Sequence, residues 1–376
     1  MAGIYFHIPF CKQACHYCDF HFSTNFRNVG ELVAAMETEL TLQKDYLEGE
    51  IIETIYFGGG TPSSIPTPFI AQLIAQVKAT HTVSDTAEIS LEANPDDLTE
   101  EKIRAWKAAG INRLSVGVQS FFDVHLKWMN RAHNQTQAIA GLKLAKEIGI
   151  TNITMDLIYG IPGMTMNEWK QNLETFFSLG LPHLSAYGLT IESQTHLGHL
   201  VRTNQVKTAK DDSYNQQFEQ LMIQTKAHGF DHYEISNFGQ PGFYSKHNTA
   251  YWFGKKYVGI GPSAHSFNGA ERQWNVASNM KYVKTLNMNT LAAEVEVLSK
   301  KDQFNEHILT RLRTKWGIDQ NQIKMQFGAS FQNNLKSLIQ PYLDSKHVLE
   351  LENSFILSKK GKYLADKISS DLFLID

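Results

Sequence analysis

The sequence predicts an α/β fold in which strands and helices alternate along most of the 376 residues. Two observations predict it. Short runs rich in β-branched and aromatic residues are separated by segments of helical periodicity, and this is the pattern of βα units around a parallel sheet. The last eighty or so residues change to a mostly helical pattern. A chain of this length suits a large domain followed by a small one, which we expect at 1–285 and 286–376.

Six segments have the composition of strands. They are Ile4–His7, Ile51–Phe57, Glu88–Ala93, Arg113–Val118, Ile153–Tyr159 and His183–Leu189. A series of this kind can close into a barrel or open into a doubly wound sheet. Periodicity alone does not choose between the two.

Five segments between these strands carry helix signals. Thr99 can cap a first turn that holds Glu100 and Glu101, and Gly110 can end that helix. The five predicted helices are Asn28–Tyr46, Pro66–Thr80, Thr99–Ala109, Gln135–Ile148 and Asn167–Leu179.

Charge and hydropathy exclude some classes of function. The net charge is -3 and no large basic run appears, so nothing electrostatic predicts a nucleic-acid partner. No segment has the length and apolar character of a membrane span. The first residues lack a charged leader and an apolar signal core. We therefore expect a soluble, cytoplasmic protein.

All three cysteines of the chain lie within eight positions, at Cys11, Cys15 and Cys18. An odd count without a secretory leader argues against a disulfide. A structural zinc site usually collects two separated ligand pairs, and no second cysteine pair exists, although His7, His16 or His21 could complete one. An iron-sulfur cluster is the remaining hypothesis. Four thiolates normally hold a four-iron cluster, so three would leave one iron open to a ligand.

Polar residues fall where the predicted strands end, which is where sites lie in parallel α/β folds. The cysteine loop follows the first strand and Gly58–Gly60 follows the second. The glycines predict either a tight turn or a surface where a ligand meets the backbone. Gln119 and Ser120 follow the fourth strand. All of these residues could face one mouth.

Glu92 and Asp156 lie inside otherwise apolar strands, where an ionised carboxylate is costly to bury without a partner. A ligand amine or ribose hydroxyl could be that partner. The structural alternative is a salt bridge to Arg113 or Arg131.

The segment Gly259–Ala264 loosely matches a dinucleotide-binding fingerprint. Pro262 and the lack of a following helix pattern argue against it, so a sharp turn after a late strand is expected.

Five motifs follow one another along the chain: YFHIPF before Cys11-x-x-x-Cys15-x-x-Cys18, GGGTPS at 58–63, LEANP at 91–95, GVQSF at 117–121 and DLIYGIPG at 156–163. Together they resemble the motifs of the radical S-adenosylmethionine (SAM) enzymes, and the match covers nearly the whole chain. The chain is similar in particular to the subgroup of oxygen-independent coproporphyrinogen III oxidase and the heme chaperones related to that enzyme. The resemblance implies a partial (β/α)6 barrel.

The resemblance also implies cofactors. In the family, three thiolates hold a [4Fe–4S] cluster and SAM chelates its fourth iron, so Cys11, Cys15 and Cys18 are the expected metal ligands. One electron then cleaves the sulfonium and releases a deoxyadenosyl radical. By motif position, one set of residues is expected to contact SAM: Tyr5, Gly59, Gly60, Thr61 and Glu92. A second set matches contacts to a second SAM molecule in the oxidase: Tyr17, Gln119, Arg131 and Asp156.

Two departures from the oxidase favour the chaperone group. The oxidase has a further cysteine two positions after the third, where this chain has Phe20, and a segment before its first strand. The stretch Lys246–Trp252 also contains the H-N-x-x-Y-W motif that the chaperone group associates with heme. The resemblance therefore implies heme contacts at His247, Tyr251 and Trp252, since an imidazole can ligate heme iron and aromatic rings can line a porphyrin.

The carboxyl-terminal part resembles a winged-helix-like unit. Helices are predicted at Phe304–Lys315, Gln320–Phe327 and Phe331–Ser345, two β-like runs at Val348–Leu351 and Ser354–Leu357, and a last helix from Lys359 to about Ile368. Such units often bind DNA, but this one lacks a concentrated basic surface, so we expect a covering or partner-docking role.

We expect a heme chaperone that carries a [4Fe–4S] cluster and SAM, binds heme and passes it to apo-proteins. Respiratory enzymes at the inner membrane are candidate acceptors, reached through peripheral membrane contact. Two alternatives stay open: an oxidase that decarboxylates coproporphyrinogen III, and a zinc-stabilised interaction protein. The architecture is that of an enzyme, but no residue is assigned a catalytic role.

Overall fold

The central feature of the computed structural model is a large, mostly parallel sheet; residues 2–209 and 211–375 are described. Its middle consists of six parallel strands in sequence order. They are β1 (Ala2–Ile8), β2 (Ile52–Gly59), β3 (Val83–Ala93), β4 (Arg113–Gln119), β5 (Ile153–Tyr159) and β6 (His183–Gly188). Six helices join these strands: α1 (Val29–Leu42), α2 (Thr67–Thr80), α3 (Glu100–Ala109), α4 (Asp123–Trp128), α5 (Gln135–Ile148) and α6 (Met166–Ser178).

Strand alternation gives the sheet two different faces. On one face Phe6 stacks on Phe57, with ring centroids 4.7 Å apart, and both join a core built with apolar residues of the connecting helices. On the other face Tyr5 stacks on Tyr56 at 6.1 Å. The helices therefore cover the apolar face, and the polar face lines the interior of the partial barrel.

The sheet does not close on itself within the described residues. The segment after β6 supplies strands to both of its edges, so that twelve described strands run in the order β12-β11-β10-β9-β1-β2-β3-β4-β5-β6-β8-β7. The added strands are β7 (Asp231–His232), β8 (Asn237–Gly239), β9 (Tyr257–Ile260), β10 (His265–Phe267), β11 (Glu271–Asn275) and β12 (Ala293–Val297). The helices of this segment are α7 (His196–Arg202), α8 (Asp211–Ala227), α9 (Lys246–Trp252) and α10 (Asn279–Leu286).

The carboxyl-terminal unit has its own hydrophobic core, which runs from Phe304 to Leu372. Its elements are α11 (Lys300–Leu312), β13 (Ile318–Asp319), α12 (Gln320–Phe327), α13 (Ala329–Asp344), β14 (Val348–Leu351), β15 (Ser354–Leu357) and α14 (Ala365–Asp371). The three strands form a small antiparallel sheet in the order β13-β15-β14. Strand β12 belongs to the large sheet; the division at residue 285 stays a prediction.

The predicted fold class is confirmed, and so are the local signals behind it. The Thr99 hydroxyl accepts a hydrogen bond from the Lys102 amide at the start of α3, and Gly110 ends that helix with a φ of 103°. Strand β3 begins at Val83, earlier than the predicted Glu88. Ser84, Asp85 and Thr86 are polar and at least partly exposed, so this part of the strand lacks the apolar pattern that predicts a buried strand. Gly261, with a φ of 109°, belongs to the turn expected after β9. No helix in the described parts of the chain has the length and apolar character needed to span a bilayer.

Candidate functional site

The cysteine loop leaves the carboxyl end of β1 and is held by backbone hydrogen bonds. The Cys11 amide donates to the Ser23 carbonyl at 3.0 Å, and the Cys18 amide donates to the Cys15 carbonyl at 3.2 Å. The three thiols are free and partly buried. One loop therefore presents all three sulfurs at the mouth of the partial barrel.

The glycines after β2 allow the second strand to meet this loop. The Gly60 amide donates to the Ile8 carbonyl at 3.0 Å. A Cβ on Gly60 would lie 2.7 Å from the Phe10 carbonyl oxygen, and Gly59 has a φ of 102° that disfavours other residues. This close approach brings the Thr61 hydroxyl within 3.4 Å of the Cys11 sulfur, to which it donates.

Arg131 connects the loop to the ends of two further strands. Its Nη1 donates to the Cys15 sulfur at 3.3 Å, while Nη2 donates to the Asn94 side-chain oxygen and to the Gly117 carbonyl, both at 2.6 Å. Its Nε is buried and has no partner among the described residues. The guanidinium therefore places positive charge beside the thiols.

Tyr17 and Gln119 lie close to Arg131. The pKa of the Tyr17 phenol is raised, mainly by burial. Gln119 has a φ of 68° at an irregularity in the pairing of β4 with β5, and its Nε2 would lie 2.9 Å from a Cβ on Gly117. This unusual backbone turns the Gln119 side chain toward the position beside Gly117 that Arg131 also contacts.

Two half-buried carboxyl groups, Glu92 and Asp156, lie on the polar face. Glu92 accepts a hydrogen bond from the Tyr56 hydroxyl at 2.8 Å, and burial raises its pKa to about 7. Burial also raises the pKa of Asp156 to about 7, and the charge of Glu92 adds to that shift. Ser115 donates to Asp156 at 3.5 Å. Arg113 lies instead 3.8 Å from Glu88.

Tyr5 lies on β1, beside Tyr56 and at the edge of the region that contains Glu92 and Asp156. Its hydroxyl lies 3.3 Å from Nδ1 of His7, and its ring stacks on Tyr56. Hydrogen bonds, ring contacts, steric contacts and charge interactions therefore link all twelve residues predicted to bind the cluster and SAM into one region. These are Tyr5, Cys11, Cys15, Tyr17, Cys18, Gly59, Gly60, Thr61, Glu92, Gln119, Arg131 and Asp156.

The predicted heme residues lie on α9, which packs against Tyr5 and Tyr56 through His247. His247 stacks on Tyr56, with ring centroids 4.9 Å apart, and is 2% exposed. Its Nδ1 lies 2.7 Å from the Thr54 hydroxyl and its Nε2 lies 2.7 Å from the Tyr251 hydroxyl. Trp252 lies on another side of the helix, where its ring centroid is 5.9 Å from the Arg313 guanidinium. The motif is therefore divided between the barrel interior and the carboxyl-terminal unit.

The donor set fits an iron-sulfur cluster. Burial raises the pKa of Cys11 and raises that of Cys18 to about 11, so thiolates at these positions need nearby positive charge, which a metal centre supplies. Among the described residues, no three His, Cys, Asp or Glu side chains converge as they would around one ion. A four-iron cluster bonds each thiolate to a different iron, so its sulfurs need not meet at one point.

Four residues of this region were not predicted from the sequence. Tyr56 and Asn94 contact Glu92 and Arg131, and Lys12 of the cysteine loop forms an ion pair with Asp97 at 2.8 Å. Strand alternation could have placed Tyr56 beside Glu92, since both lie on the polar face. No local pattern indicates the ion pair between Lys12 and Asp97.

Comparison with known proteins identifies the family of this chain. Residues 5–176 match the Radical SAM superfamily, and residues 298–364 match the HemN C-terminal domain. The chain is 32% identical to the heme chaperone HemW of Bacillus subtilis, over 98% of both chains. It is 34% identical to HemW of Lactococcus lactis, over 99% of this chain and 97% of the relative.

A solved structure agrees with the fold. The coproporphyrinogen III oxidase HemN of Escherichia coli, described as a radical SAM enzyme, superposes with a TM-score of 0.84 at 22% identity, over 99% of this chain and 90% of HemN. At that identity the likeness concerns the fold alone. The sequence matches that run along almost the whole chain show that this chain belongs to the HemW heme chaperone family of radical SAM proteins.

Proposed function

We propose that this protein binds heme and transfers it to apo-proteins. The observation that carries the proposal is the similarity, almost from end to end, to relatives named heme chaperone HemW. Candidate acceptors are apo-heme proteins such as respiratory enzymes, reached from the cytoplasm by peripheral contact with the membrane.

The proposal includes a [4Fe–4S] cluster held by Cys11, Cys15 and Cys18. Its support is the single loop that carries the three thiols, with Thr61 and Arg131 donating hydrogen bonds to two of the sulfurs. When bound, such a cluster supplies one electron to the sulfonium of SAM. The hydrogen bonds from the protein would stabilise negative charge on the thiolate sulfurs.

SAM would occupy the region between the cysteine loop and the two half-buried carboxyl groups. Tyr5, Gly59, Gly60, Thr61 and Glu92 are its proposed contacts. Glu92 is suited to accept a hydrogen bond from a ribose hydroxyl or an amine, because its donors in the protein are two neutral groups, the Tyr56 hydroxyl and the Gly59 amide. Tyr17, Gln119, Arg131 and Asp156 are further proposed SAM contacts, at positions that match contacts to a second SAM molecule in the oxidase.

The proposed heme contacts are at His247, Tyr251 and Trp252. Ligation of iron by His247 would require one of its two hydrogen bonds, to Thr54 or to Tyr251, to break. Burial lowers the pKa of this imidazole to about 3, so the ring is neutral and a nitrogen freed in this way could bind iron.

Oxidative decarboxylation of coproporphyrinogen III is the second candidate, favoured by the fold shared with HemN. Phe20 argues against this candidate. It is 66% exposed at the end of the cysteine loop, at the position where the oxidase has a fourth cysteine. A zinc-stabilised interaction protein is the third candidate.

One experiment separates the three. The protein is reconstituted anaerobically with iron and sulfide, assayed with coproporphyrinogen III in the presence of SAM, a one-electron reductant and an electron acceptor, and titrated in parallel with heme. We expect a brown protein that binds heme stoichiometrically, releases it to an apo-cytochrome and forms no protoporphyrinogen. Turnover without stable heme binding would support the oxidase, and a colourless protein that retains zinc alone would support the interaction protein.

A further inference from the structure

A cavity of about 350 Å³ lies on the outer side of α9, at the amino ends of β1 and β2. The cysteine loop lies at the opposite, carboxyl end of the same strands. The side chains that give the cavity its character are Tyr244, Lys246, Thr249, Phe253, Lys255 and Glu53. The cavity is therefore separate from the proposed SAM region. Its volume, near the lower end of ligand pockets, holds an anchoring side chain rather than a large cofactor.

Aromatic rings form one wall of this cavity. Phe253 is 36% exposed and is contacted by Trp316, with ring centroids 5.0 Å apart. Tyr244 also lines the cavity, and its ring centroid lies 6.2 Å from that of Trp316. Behind Phe253, the Arg311 guanidinium carbon lies 4.1 Å from the ring centroid. An aromatic surface that is held from behind and open to solvent is typical of the centre of a protein–protein interface.

Cations flank this wall. Lys246 and Lys255 line the cavity and are exposed, and neither forms an ion pair with an acidic side chain of the described residues. The Thr249 hydroxyl also lines the cavity, and it is buried without a hydrogen-bond partner in the described part of the chain. Glu53 is the acidic side chain of the lining. Positive charge therefore predominates around an apolar surface that retains a free hydrogen-bond donor.

We propose that this cavity docks an acidic segment of the heme-accepting apo-protein, with one aromatic side chain of that segment against Phe253 and Tyr244. The flanking carboxylates of the segment pair with Lys246 and Lys255, and Thr249 donates a hydrogen bond to it. The proposal rests on the transfer of heme to apo-proteins proposed above. Cations around an apolar centre select an acidic partner, because complementary charge steers the encounter and like charge disfavours other partners.

Helix α9 carries both this cavity and proposed heme contacts. Lys246, Thr249 and Phe253 are three and four residues apart and share the outward side. His247 and Tyr251 are four residues apart and share the inward side, where they contact each other. An acceptor docked on the outward side therefore lies one helix away from the cargo and does not compete for these heme contacts.

The test uses a fluorescent heptapeptide with one phenylalanine between three aspartates on each side. Its binding to the reconstituted full chain is followed by anisotropy at low ionic strength. A second peptide has alanine in place of phenylalanine, and a third has lysine in place of aspartate. We expect the first peptide to bind wild type at least about tenfold more tightly than either of the others, because each lacks one half of the complementary surface.

Charge reversal tests the two lysines. In the double variant Lys246→Glu/Lys255→Glu, two attractive pairs become repulsive, so the aspartate peptide should bind at least about fivefold more weakly and the lysine peptide more tightly. Lys281→Glu/Lys284→Glu, at exposed positions of α10, is the charge-matched control and should bind both peptides as wild type does. Saturating aspartate–phenylalanine peptide should also slow the transfer of heme from the loaded protein to an apo-cytochrome while the heme Kd stays unchanged.

The outcomes separate this inference from the proposed function. Equal binding of the aspartate peptide by wild type and the Lys246→Glu/Lys255→Glu variant, at an unchanged unfolding midpoint, would overturn the inference and leave the chaperone function standing. Equal binding of the phenylalanine and alanine peptides would also overturn it, by reducing the site to charge attraction. So would binding to anionic lipid vesicles that only this variant loses, without binding of any peptide. If wild type binds the peptide but neither binds nor transfers heme, the proposed function fails, and the identification of the partner as a heme acceptor fails with it.

Discussion

The ammonium group of Lys12 lies 2.8 Å from a carboxylate oxygen of Asp97, and this ion pair joins the cysteine loop to the turn that follows β3. Asp97 is 1% exposed and also accepts hydrogen bonds from Lys102 at 2.6 Å and from Ser63 at 2.8 Å. A rigid acceptor therefore holds one end of the loop that presents the thiols.

Replacing Lys12 with Met should loosen this loop with little effect on the fold, because the Lys12 side chain is 40% exposed and such pairs contribute less than about 1 kcal/mol. We expect lower iron and sulfide content after anaerobic reconstitution and faster iron loss to a chelator. Glu100→Gln, which breaks the exposed pair with Arg104, is the control. Equal rates of iron loss in Lys12→Met and wild type would show that the ion pair does not hold the loop.

Gly60→Ala should disturb the site more strongly. The added Cβ would meet the Phe10 and Ile8 backbones at 2.7 to 2.9 Å, and neither is a flexible side chain. We expect a loss of about 1–3 kcal/mol in the free energy of unfolding and poor cluster assembly. Gly30→Ala, in the first turn of α1, is the control, since its Cβ would lie 3.7 Å from Phe69 and should be tolerated. Denaturant unfolding and iron analysis measure both effects, and full cluster content in Gly60→Ala would contradict the expectation.

The half-buried carboxyl groups predict a pH dependence of stability. Burial raises the pKa of Glu92 from 4.5 to about 7 and that of Asp156 from 3.8 to about 7. The folded state then holds protons that the unfolded state has released, so these two groups make the free energy of unfolding fall as the pH rises from about 4 to about 7. Buried histidines such as His247, whose pKa is lowered to about 3, contribute with the opposite sign. Glu92→Gln should remove the falling contribution of Glu92, measured as the difference from wild type by urea unfolding at a series of pH values. A slope equal to that of wild type would show that Glu92 ionises normally.

Glu39 provides a matched control for ligand binding. Burial also raises its pKa to about 7, but its hydrogen-bond partners are Tyr282, Gly261 and Asn275, away from the thiols. Glu92→Gln and Glu39→Gln should change the pH dependence alike. In equilibrium dialysis of the reconstituted protein, Glu92→Gln alone should weaken SAM binding. If both variants or neither changes the affinity, Glu92 is not a direct contact.

His247→Ala should destabilise the protein. The change leaves the hydroxyls of Thr54 and Tyr251 without their partner and opens a cavity below Tyr56, for a cost of about 2–4 kcal/mol. Unfolding experiments measure this cost, with His199→Ala at an exposed position as the control. Heme titration at a temperature where the variant is folded should give weaker binding and a shifted Soret band, because a proposed heme contact is lost. An unchanged affinity and an unchanged band would remove His247 from the proposed heme site.

Much of the large sheet could be predicted from the sequence because its signals are local. Strands buried beneath helices have apolar residues at alternate positions or in continuous runs, and Thr99 and Gly110 mark the ends of α3. The cysteines were identified by their number and spacing, and the hairpin at Val348–Leu351 and Ser354–Leu357 lies where it was predicted.

The segment between β6 and α11 could not be predicted in this way. Its strands are short, and four of them, β9 to β12, add to the edge beside β1, far away in the sequence. The position of α9 depends on contacts such as that between Thr54 and His247, which are 193 residues apart. Local periodicity describes a helix here but contains no information on which face of the sheet it covers. The individual roles of the cofactor-binding and heme residues stay predictions.

Helix α9 is a shared wall between two compartments. Its inward side contacts the Tyr56 ring, whose hydroxyl binds Glu92, and its outward side carries Lys246 and Phe253. A ligand that shifts this wall from one side changes the free energy of binding on the other, and thermodynamic linkage makes that change equal in both directions. Occupancy of the cavity beside Phe253 and occupancy of the barrel interior would then change each other's binding free energy without any direct contact between the two ligands.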